Sequence, residues 1–202
     1  MLQIKDSVAV ITGGASGIGL VLAQHWAKLG GKLVIADIDN EALKAAADVI
    51  GGETQTVRCN VTDENDCARL ADKAIDVFGK INLVAPFAGI IMDGLMLSTD
   101  RETGKVTKKM SLGQFQKVID INLTGVFLTV RECSERMIDH GCRGLICLVS
   151  STGSLGTAGQ INYSSTKAAV SVMPKVITAE FFRQGLADRI RCVAIAPGYC
   201  AT

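Results

Sequence analysis

Short apolar runs alternate with longer amphipathic stretches along almost the whole chain. The apolar runs predict six strands, at 8–11, 32–36, 54–58, 82–85, 145–149 and 191–196. The amphipathic stretches predict helices at roughly 17–29, 41–50, 63–78, 112–139 and 164–184. Unbroken apolar runs are expected in strands of a parallel sheet that helices cover on both faces. The pattern therefore predicts an α/β fold of the Rossmann type, a doubly wound parallel sheet with right-handed crossovers.

Local signals support several of these boundaries. Ser111 and Gln114 have the spacing of a capping box at the start of the long helix. Gly79 and Gly141 stand where helices should end. Pro174 lies inside the last predicted helix, where it removes one hydrogen bond and should bend the helix.

One polar stretch, 98–110 (STDRETGKVTKKM), interrupts the alternation of strands and helices. Its central Thr-Gly pair favours a turn, so we expect a loop or a small hairpin. Neither an internal repeat nor a linker is visible, and 202 residues suit one hydrophobic core. We therefore predict a single domain over 1–202.

Composition and charge narrow the class of function. A formal net charge of +1 gives no electrostatic reason to bind nucleic acid or an anionic membrane. Neither a signal peptide nor an apolar stretch of the ~20 residues needed to span a bilayer is apparent. The seven cysteines contain no C-x-x-C pair, and His25 and His140 stand alone, so no metal site is expected. These features indicate a soluble protein of the reducing cytoplasm.

The first turn between a strand and a helix is rich in glycine (T-G-G-A-S-G-I-G, 12–19). Gly13, Gly17 and Gly19 let the backbone turn sharply and approach a pyrophosphate, while the helix N-terminus offers free N–H groups. Asp37 ends the second strand 18 residues after Gly19, near the ~20 expected for a carboxylate that binds adenosine ribose. A carboxylate there repels the 2′-phosphate of NADP, so the predicted cofactor is NAD.

Tyr163 and Lys167 lie four residues apart at the start of a helix and so share one face. A nearby ammonium lowers the pKa of a phenol, which then exchanges a proton with a carbonyl or alcohol oxygen. Ser150 ends a strand thirteen residues before Tyr163, and its hydroxyl is a candidate to reach the same oxygen.

The unusual residues share a position in the predicted fold. Each comes just after a predicted strand: Gly13, Asp37, Asn60, Gly89, Ser150 and the pair Pro197-Gly198. In an open parallel sheet the carboxyl ends of the strands form the ligand crevice. We therefore expect these residues to line one site.

Taken together, these motifs resemble the short-chain dehydrogenase/reductase family from residue 8 to 202, through the glycine-rich turn, D-I-N-L-T-G and Y-S-S-T-K. The resemblance implies that Tyr163 is the catalytic acid/base and that Lys167 lowers its pKa and binds the nicotinamide ribose. It also implies that Ser150 orients the substrate oxygen and that Asn122 holds a proton-relay water. The cofactor-binding residues it implies are Gly13, Ser16, Gly17, Ile18, Gly19, Asp37, Asn60, Val61, Ala88, Gly89, Tyr163, Lys167, Pro197, Gly198 and Thr202.

The chain departs from the family pattern at three places. Pro86-Phe87 replaces the two asparagines that usually precede Ala-Gly, and the 98–110 stretch is longer than usual. The family also continues beyond Thr202 with a further strand and a mobile segment that covers the substrate. We therefore expect the C-terminal strand and that covering segment to be missing from these 202 residues.

The resemblance implies an NAD(H)-dependent oxidoreductase that interconverts a carbonyl and a secondary alcohol. G-Q-I-N-Y-S-S-T-K and N-V-T-D are similar to the 3-oxoacyl-[acyl-carrier-protein] reductase-like members, which suggests an acyl thioester as substrate. Those reductases mostly use NADPH, so an NAD-linked secondary alcohol or 3-hydroxyacyl dehydrogenase fits Asp37 equally well. A non-catalytic NAD(H)-sensing regulatory protein is a third reading, which the intact Tyr163 and Lys167 disfavour.

Apolar residues surround most of the last predicted helix, and the long helix before it has a similar excess. One face of each helix can cover the sheet, and the remainder would be exposed in a monomer. The family resemblance implies that these helices pair between subunits. We expect a homo-oligomer, a dimer or a homotetramer.

Overall fold

The computed structural model describes residues 3–200. Six parallel strands form the central sheet in the order β3-β2-β1-β4-β7-β8, and β5 and β6 form a separate antiparallel pair. The eight strands are β1 (Val8–Thr12), β2 (Lys32–Asp37), β3 (Thr54–Arg58), β4 (Leu83–Pro86), β5 (Leu97–Thr99), β6 (Val106–Lys109), β7 (Gly144–Val149) and β8 (Ile190–Ile195). The strand order reverses between β1 and β4, which is the topological switch point of a doubly wound sheet. The predicted fold class is confirmed.

Helices connect the parallel strands and cover both faces of the sheet. They are α1 (Gly17–Lys28), α2 (Asn40–Ile50), α3 (Glu64–Phe78), α4 (Leu112–Ile119), α5 (Gly125–Asp139) and α6 (Ile161–Arg183). The predicted helix at 112–139 is divided by a π-helical turn at Asp120–Thr124, and a 3₁₀ turn at Thr152–Leu155 follows β7. The last helix begins three residues before its predicted start and contains Pro174.

Alternate residues of the central strands belong to two separate cores. Val8 and Val10 point to the face that α3, α5 and α6 cover, together with Ile146 and Leu148 of β7. Residues of the opposite parity pack under α1 and α2, among them Ile11 and other members of β1 and β2. Because both faces are buried, the strands read as continuous apolar runs, as the sequence indicated.

The polar stretch 98–110, which was predicted to be a loop or a small hairpin, forms a hairpin. β5 and β6 pair in antiparallel register from Leu97 opposite Lys109, and the Asp100 carboxylate accepts hydrogen bonds from the backbone N–H groups of Glu102 and Thr103 in the turn. The backbone N–H of Met110 donates to the carbonyl of Met96 and closes the base of the hairpin.

Membrane-spanning helices, metal-ligand clusters and cysteine pairing were considered in the sequence analysis and can be compared with the structure. Between residues 3 and 200, no helix combines the length and the apolar character that a membrane crossing requires. The same residues contain no cluster of three or more metal-ligating side chains. All seven cysteines are unpaired, and five of them are buried: Cys59, Cys67, Cys133, Cys142 and Cys192.

Candidate active site

A cavity of about 460 Å³ opens at the carboxyl ends of the parallel strands, across the switch point between β1 and β4. Its lining draws on the loops after β1, β2, β3 and β4 and on the N-terminal turns of α6. The structure brings together at this cavity most of the residues predicted to bind the cofactor: Gly13, Ser16, Gly17, Ile18, Gly19, Asp37, Asn60, Val61, Ala88, Gly89, Tyr163 and Lys167.

The glycine-rich turn forms one wall of the cavity because its glycines allow backbone to touch backbone. Gly13 has a φ of +65°, and a Cβ atom there would lie 2.8 Å from the backbone nitrogen of Ala88. A Cβ atom on Gly19 would overlap the carbonyl oxygen of Gly13. Any side chain at these two positions would push the turn outward and fill space at the wall of the cavity.

The start of α1 points free hydrogen-bond donors at the cavity. Ser16 is the N-cap residue, but its side chain makes no capping hydrogen bond, and the first turn holds no acidic residue. The first N–H groups of the helix therefore keep their partial positive charge without an internal counter-group. An anionic group such as a pyrophosphate fits this arrangement.

Asp37 lies at the end of β2, where the sequence placed it, and lines the cavity. Its Oδ1 accepts hydrogen bonds from the backbone N–H of Ile38 at 2.8 Å and of Asp39 at 3.4 Å. These bonds fix the carboxylate, and no hydrogen bond to Oδ2 occurs within residues 3–200. The fixed carboxylate can accept hydrogen bonds from a pair of hydroxyl groups.

Asn60 and Val61 follow β3 and form the next part of the lining. The Asp66 carboxylate accepts a hydrogen bond from the Asn60 backbone N–H at 2.8 Å, and the Asn60 side-chain oxygen accepts from both the N–H and the hydroxyl of Thr62. This loop is therefore rigid. It presents an apolar side chain, Val61, to the cavity.

Lys167 is nearly buried, with 8% of its surface exposed, yet its side chain reaches the cavity. Its Nζ donates a hydrogen bond to the carbonyl oxygen of Val149 at 2.8 Å and lies 5.5 Å from the centre of the Tyr163 ring. Burial lowers the pKa of Lys167 to about 8. Tyr163 thus faces the cavity beside an ammonium group whose pKa lies well below its ordinary value.

Ser150 does not lie where the sequence analysis expected its hydroxyl. The side chain is 2% exposed, and its Oγ donates to the carbonyl oxygen of Lys167 at 2.8 Å and lies 2.6 Å from the Oγ of Ser171. Alternation along β7 explains this placement, because Ile146, Leu148 and Ser150 share the face that α6 covers. The Ser150 hydroxyl therefore stabilises the contact between β7 and α6, and this placement does not support its predicted contact with the substrate oxygen.

The next residue, Ser151, lies close to Tyr163 instead. Its Oγ caps the 3₁₀ turn by accepting a hydrogen bond from the Gly153 N–H at 3.0 Å. The Ser151 Oγ and the Tyr163 Cε1 lie 3.3 Å and 3.5 Å from the position that a Cβ atom on Gly153 would occupy. Ser151 was missed because the thirteen-residue spacing favoured Ser150, and the uniformly apolar run at 145–149 does not show which face of β7 is buried under α6.

Asn122 lies in the π-helical turn and is fully buried. Its Nδ2 donates to the carbonyl of Ile90, and its Oδ1 accepts from the N–H of the same residue, both at 2.8 Å. The side-chain amide therefore holds the segment after β4 in place, and Ile90 itself lines the cavity. A π turn inside an α-helix is often found at functional sites.

The residues after β8 lie apart from this cavity. Pro197 accepts a hydrogen bond from the N–H of Thr152 at 3.1 Å, which ties the end of β8 to the 3₁₀ turn, and Gly198 is exposed. Neither contributes to the cavity lining. Thr202, which the sequence also assigned to the cofactor site, lies outside the described residues.

Several apolar lining residues had no motif to reveal them. They are Ala36, Ile38, Cys59, Phe87, Ile90, Ile91, Ile121 and Val149. Most adjoin a predicted site residue, so their position at a strand end was the available signal. Phe87 stands at one of the positions where the sequence departs from the family pattern. It places an apolar ring in the cavity lining where the family usually has an asparagine side chain.

Comparisons with known proteins agree with this geometry. The family described as short chain dehydrogenase matches residues 7–202. The chain is 34% identical over 206 residues to a 3-oxoacyl-[acyl-carrier-protein] reductase of Synechocystis, covering 100% of this chain and 77% of that protein. It is 28% identical to a (3R)-3-hydroxyacyl-CoA dehydrogenase of the dog, covering 100% of this chain and 76% of that protein.

A solved structure extends the likeness to three dimensions. It is a short chain dehydrogenase/reductase from Burkholderia phymatum in complex with NAD, similar to this chain with a TM-score of 0.88 and 28% identity. The match covers 98% of this chain and 68% of that one. The fold therefore has a counterpart among solved structures of this family.

Proposed function

We propose that this chain, which belongs to the short chain dehydrogenase family, is an NAD(H)-dependent oxidoreductase that interconverts a carbonyl and a secondary alcohol. The observation that carries the proposal is the pairing of Tyr163 with the buried Lys167 at a cavity whose other end presents the free start of α1 and the Asp37 carboxylate. Tyr163 and Lys167 transfer a proton, and the start of α1 and Asp37 bind a dinucleotide.

The residues of the cavity fit NAD. The uncapped start of α1 suits the pyrophosphate, the Asp37 carboxylate suits the two hydroxyl groups of the adenosine ribose, and Val61 suits the adenine ring. The same carboxylate would repel a 2′-phosphate, so NAD is favoured over NADP. The structural relative from Burkholderia phymatum was solved with NAD, which supports this choice. NAD(H), when bound, supplies or accepts the hydride.

The chain's own side chains manage the proton. In the direction of reduction, the Tyr163 phenol donates its proton to the carbonyl oxygen as that oxygen becomes an alcohol. The ammonium of Lys167, fixed by the carbonyl of Val149, stabilises the phenolate that remains. The Ser151 hydroxyl donates a hydrogen bond to the same oxygen and takes the role first assigned to Ser150. The side chain of Asn122 is occupied by its hydrogen bonds to Ile90. A water that relays protons would therefore be held by the backbone carbonyl of Asn122.

The proposed substrate class is a 3-oxoacyl or 3-hydroxyacyl thioester. Two relatives, one acting on a carrier-protein thioester and the other on a CoA thioester by their names, support this class. The unpaired cysteines support the further proposal that the chain works in a reducing compartment, the cytoplasm.

The test is the loss of NADH absorbance when the purified protein meets an acetoacetyl thioester, with NADPH in a parallel series. We expect turnover with NADH. The variant Tyr163→Phe should keep NADH binding, measured by fluorescence titration, while turnover falls by about 100- to 10,000-fold because the proton donor is lost. Unchanged turnover in this variant would exclude Tyr163 as the acid/base.

We also propose a homo-oligomer, a dimer or a tetramer, built on α5 and α6. Both helices expose large apolar side chains on the surface that faces away from the sheet: Phe127, Val172, Val176 and Phe182. Packing these side chains against a second subunit would remove their apolar surface from water. Light scattering at micromolar concentration should give at least twice the mass of one chain, and a stable monomer would refute this proposal.

A further inference from the structure

Residues 92–94, which come after β4 and after the lining residues Ile90 and Ile91, are held by hydrogen bonds beside the start of α6. The carbonyl of Met92 accepts hydrogen bonds from the side-chain amides of Gln114 at 3.0 Å and Asn162 at 2.9 Å. The N–H of Gly94 donates to the carbonyl of Gly159 at 2.8 Å. Asp93 lies between these anchored residues, so its carboxylate projects from a fixed backbone.

The Asp93 carboxylate determines which way the side-chain amide of Gln160 faces. Gln160 Nε2 donates a hydrogen bond to Asp93 Oδ2 at 2.9 Å. An ionised carboxylate can only accept hydrogen bonds, so the amide nitrogen must face it and the amide oxygen must face away. Asp93 therefore converts a group with two possible orientations into an acceptor with a fixed direction.

That acceptor lies close to Ser151 and Tyr163. Gln160 Oε1 lies 3.3 Å from the position of a Cβ atom on Gly153, the same position that Ser151 Oγ and Tyr163 Cε1 approach within 3.5 Å. Because Gly153 has no side chain, these three side chains can approach its backbone closely. Gln160 Nε2 donates to Asp93, and within residues 3–200 no group donates a hydrogen bond to Gln160 Oε1.

From this geometry, and resting on the proposed function, we infer that Gln160 is a specificity-determining residue that accepts a hydrogen bond from the substrate. The substrate it selects carries an N–H or O–H donor close to the reacting carbonyl or alcohol carbon. A site built around a hydrogen bond rejects an analogue without the donor far more strongly than an apolar pocket rejects an altered methylene. In this arrangement the Ser151 and Tyr163 hydroxyls bind the reacting oxygen of the substrate, and Gln160 Oε1 binds the N–H or O–H donor nearby.

Two sources of such a donor are distinguishable with matched probes. The amide N–H of a pantetheine arm is tested by acetoacetyl-N-acetylcysteamine thioester against S-ethyl acetoacetothioate, which has the same reacting group and no N–H. A neighbouring hydroxyl is tested by cyclohexane-1,2-diol against cyclohexanol, with NAD⁺. We expect kcat/KM to favour the donor-bearing member of one pair by about tenfold or more.

Variants separate specificity from folding. In Gln160→Met, which keeps the length of the side chain, the preference should fall to about one, because kcat/KM for the donor-bearing probe falls towards that of the donor-free probe. Gln114→Met is the matched control, because Gln114 also anchors Met92 and Asp93 but does not face the reaction centre. That variant should keep the preference. Asp93→Asn should weaken it, because an asparagine amide no longer imposes one orientation on Gln160.

The outcomes distinguish this inference from the proposed function. Turnover of the probes without a preference within either pair, or a preference that persists in Gln160→Met, would overturn the inference alone. A complete lack of turnover with all four probes would refute the proposed function and this inference with it. A preference lost equally in Gln114→Met would assign the effect to the backbone of 92–94 and would also overturn the role of Gln160.

Discussion

The cavity has two ends that hold their functional groups in different ways. At the β1–β2–β3 end the groups offered to a ligand are backbone N–H groups at the start of α1 and one carboxylate at a strand end. At the β4–β7 end they are side chains, Tyr163 and Lys167 from α6, and Ser151 at the start of the turn after β7 lies close to Tyr163. One end depends on the path of the main chain, and the other depends on where individual side chains point.

This difference explains which predictions from the sequence agreed with the structure. Glycines fix a backbone path locally, so the position of the first turn follows from residues 12–19 alone. A side chain at a strand end points to one face or the other, and a shift of one residue reverses it. Ser150 and Ser151 are adjacent, and only the burial of Ser150 under α6 separates their roles.

The largest effect expected is at the side-chain end. We predict that Ser151→Ala lowers kcat by about 100- to 1,000-fold, the usual cost of removing one donor to a developing oxyanion. Ser150→Ala should instead lower the free energy of unfolding by about 1 kcal/mol, through its lost bond to the Lys167 carbonyl, with kcat within a few-fold of the parent. Steady-state kinetics and urea unfolding of both variants check the pair. The reverse pattern would return the catalytic role to Ser150.

The next effect tests the main-chain end. We predict that Gly19→Ala weakens NADH binding by about 10- to 100-fold, because its Cβ would overlap the carbonyl of Gly13 and displace the turn. Gly113→Ala is the matched control, since the added Cβ in α4 meets nothing within 4 Å. It should leave binding unchanged and stabilise the helix by about 0.5–1 kcal/mol. Fluorescence titration with NADH and thermal unfolding measure both. Equal binding by the two variants would contradict the close approach of the turn.

A smaller effect concerns cofactor choice at the same end. We predict that Asp37→Ser shifts the ratio of kcat/KM for NADH over NADPH towards NADPH by about tenfold or more, since the charge that repels a 2′-phosphate is removed. Parallel assays with both cofactors give the ratio. An unmoved ratio would show that Asp37 does not face the adenosine ribose.

The smallest effect is a pH dependence at the side-chain end. The pKa of Lys167 is lowered by burial to about 8 from 10.5, so its ammonium is lost as the pH rises above 8, and kcat should fall there. Between pH 8 and 10.5 the unfolded chain binds more protons at this residue than the folded chain does. Stability through this group therefore rises with pH over the same range in which activity falls. Profiles of kcat and of urea unfolding from pH 6 to 10 test both slopes. In Lys167→Met, this contribution to the stability slope should disappear.

Most of the fold was predictable because the spacing of apolar residues along the chain agrees with their burial in the structure. The six central strands lie within one or two residues of their predicted positions, and the 98–110 stretch forms a hairpin. The π-helical turn at Asp120–Thr124 was not predicted, because the apolar period of the 112–139 stretch continues through it. The clamp of Asn122 on Ile90 joins positions 32 residues apart, and no local pattern reports such a contact.

The sequence alone determined the sheet, the glycine-rich turn and the acidic residue at the end of β2, because each follows from local periodicity or from the backbone freedom of glycine. Only the tertiary structure decided which of two adjacent serines is buried under α6 and which lies close to Tyr163, that burial lowers the pKa of Lys167, and that Asp93 orients the amide of Gln160. These three properties depend on groups from different elements meeting in space. Periodicity along the chain carries no information on which distant groups will meet.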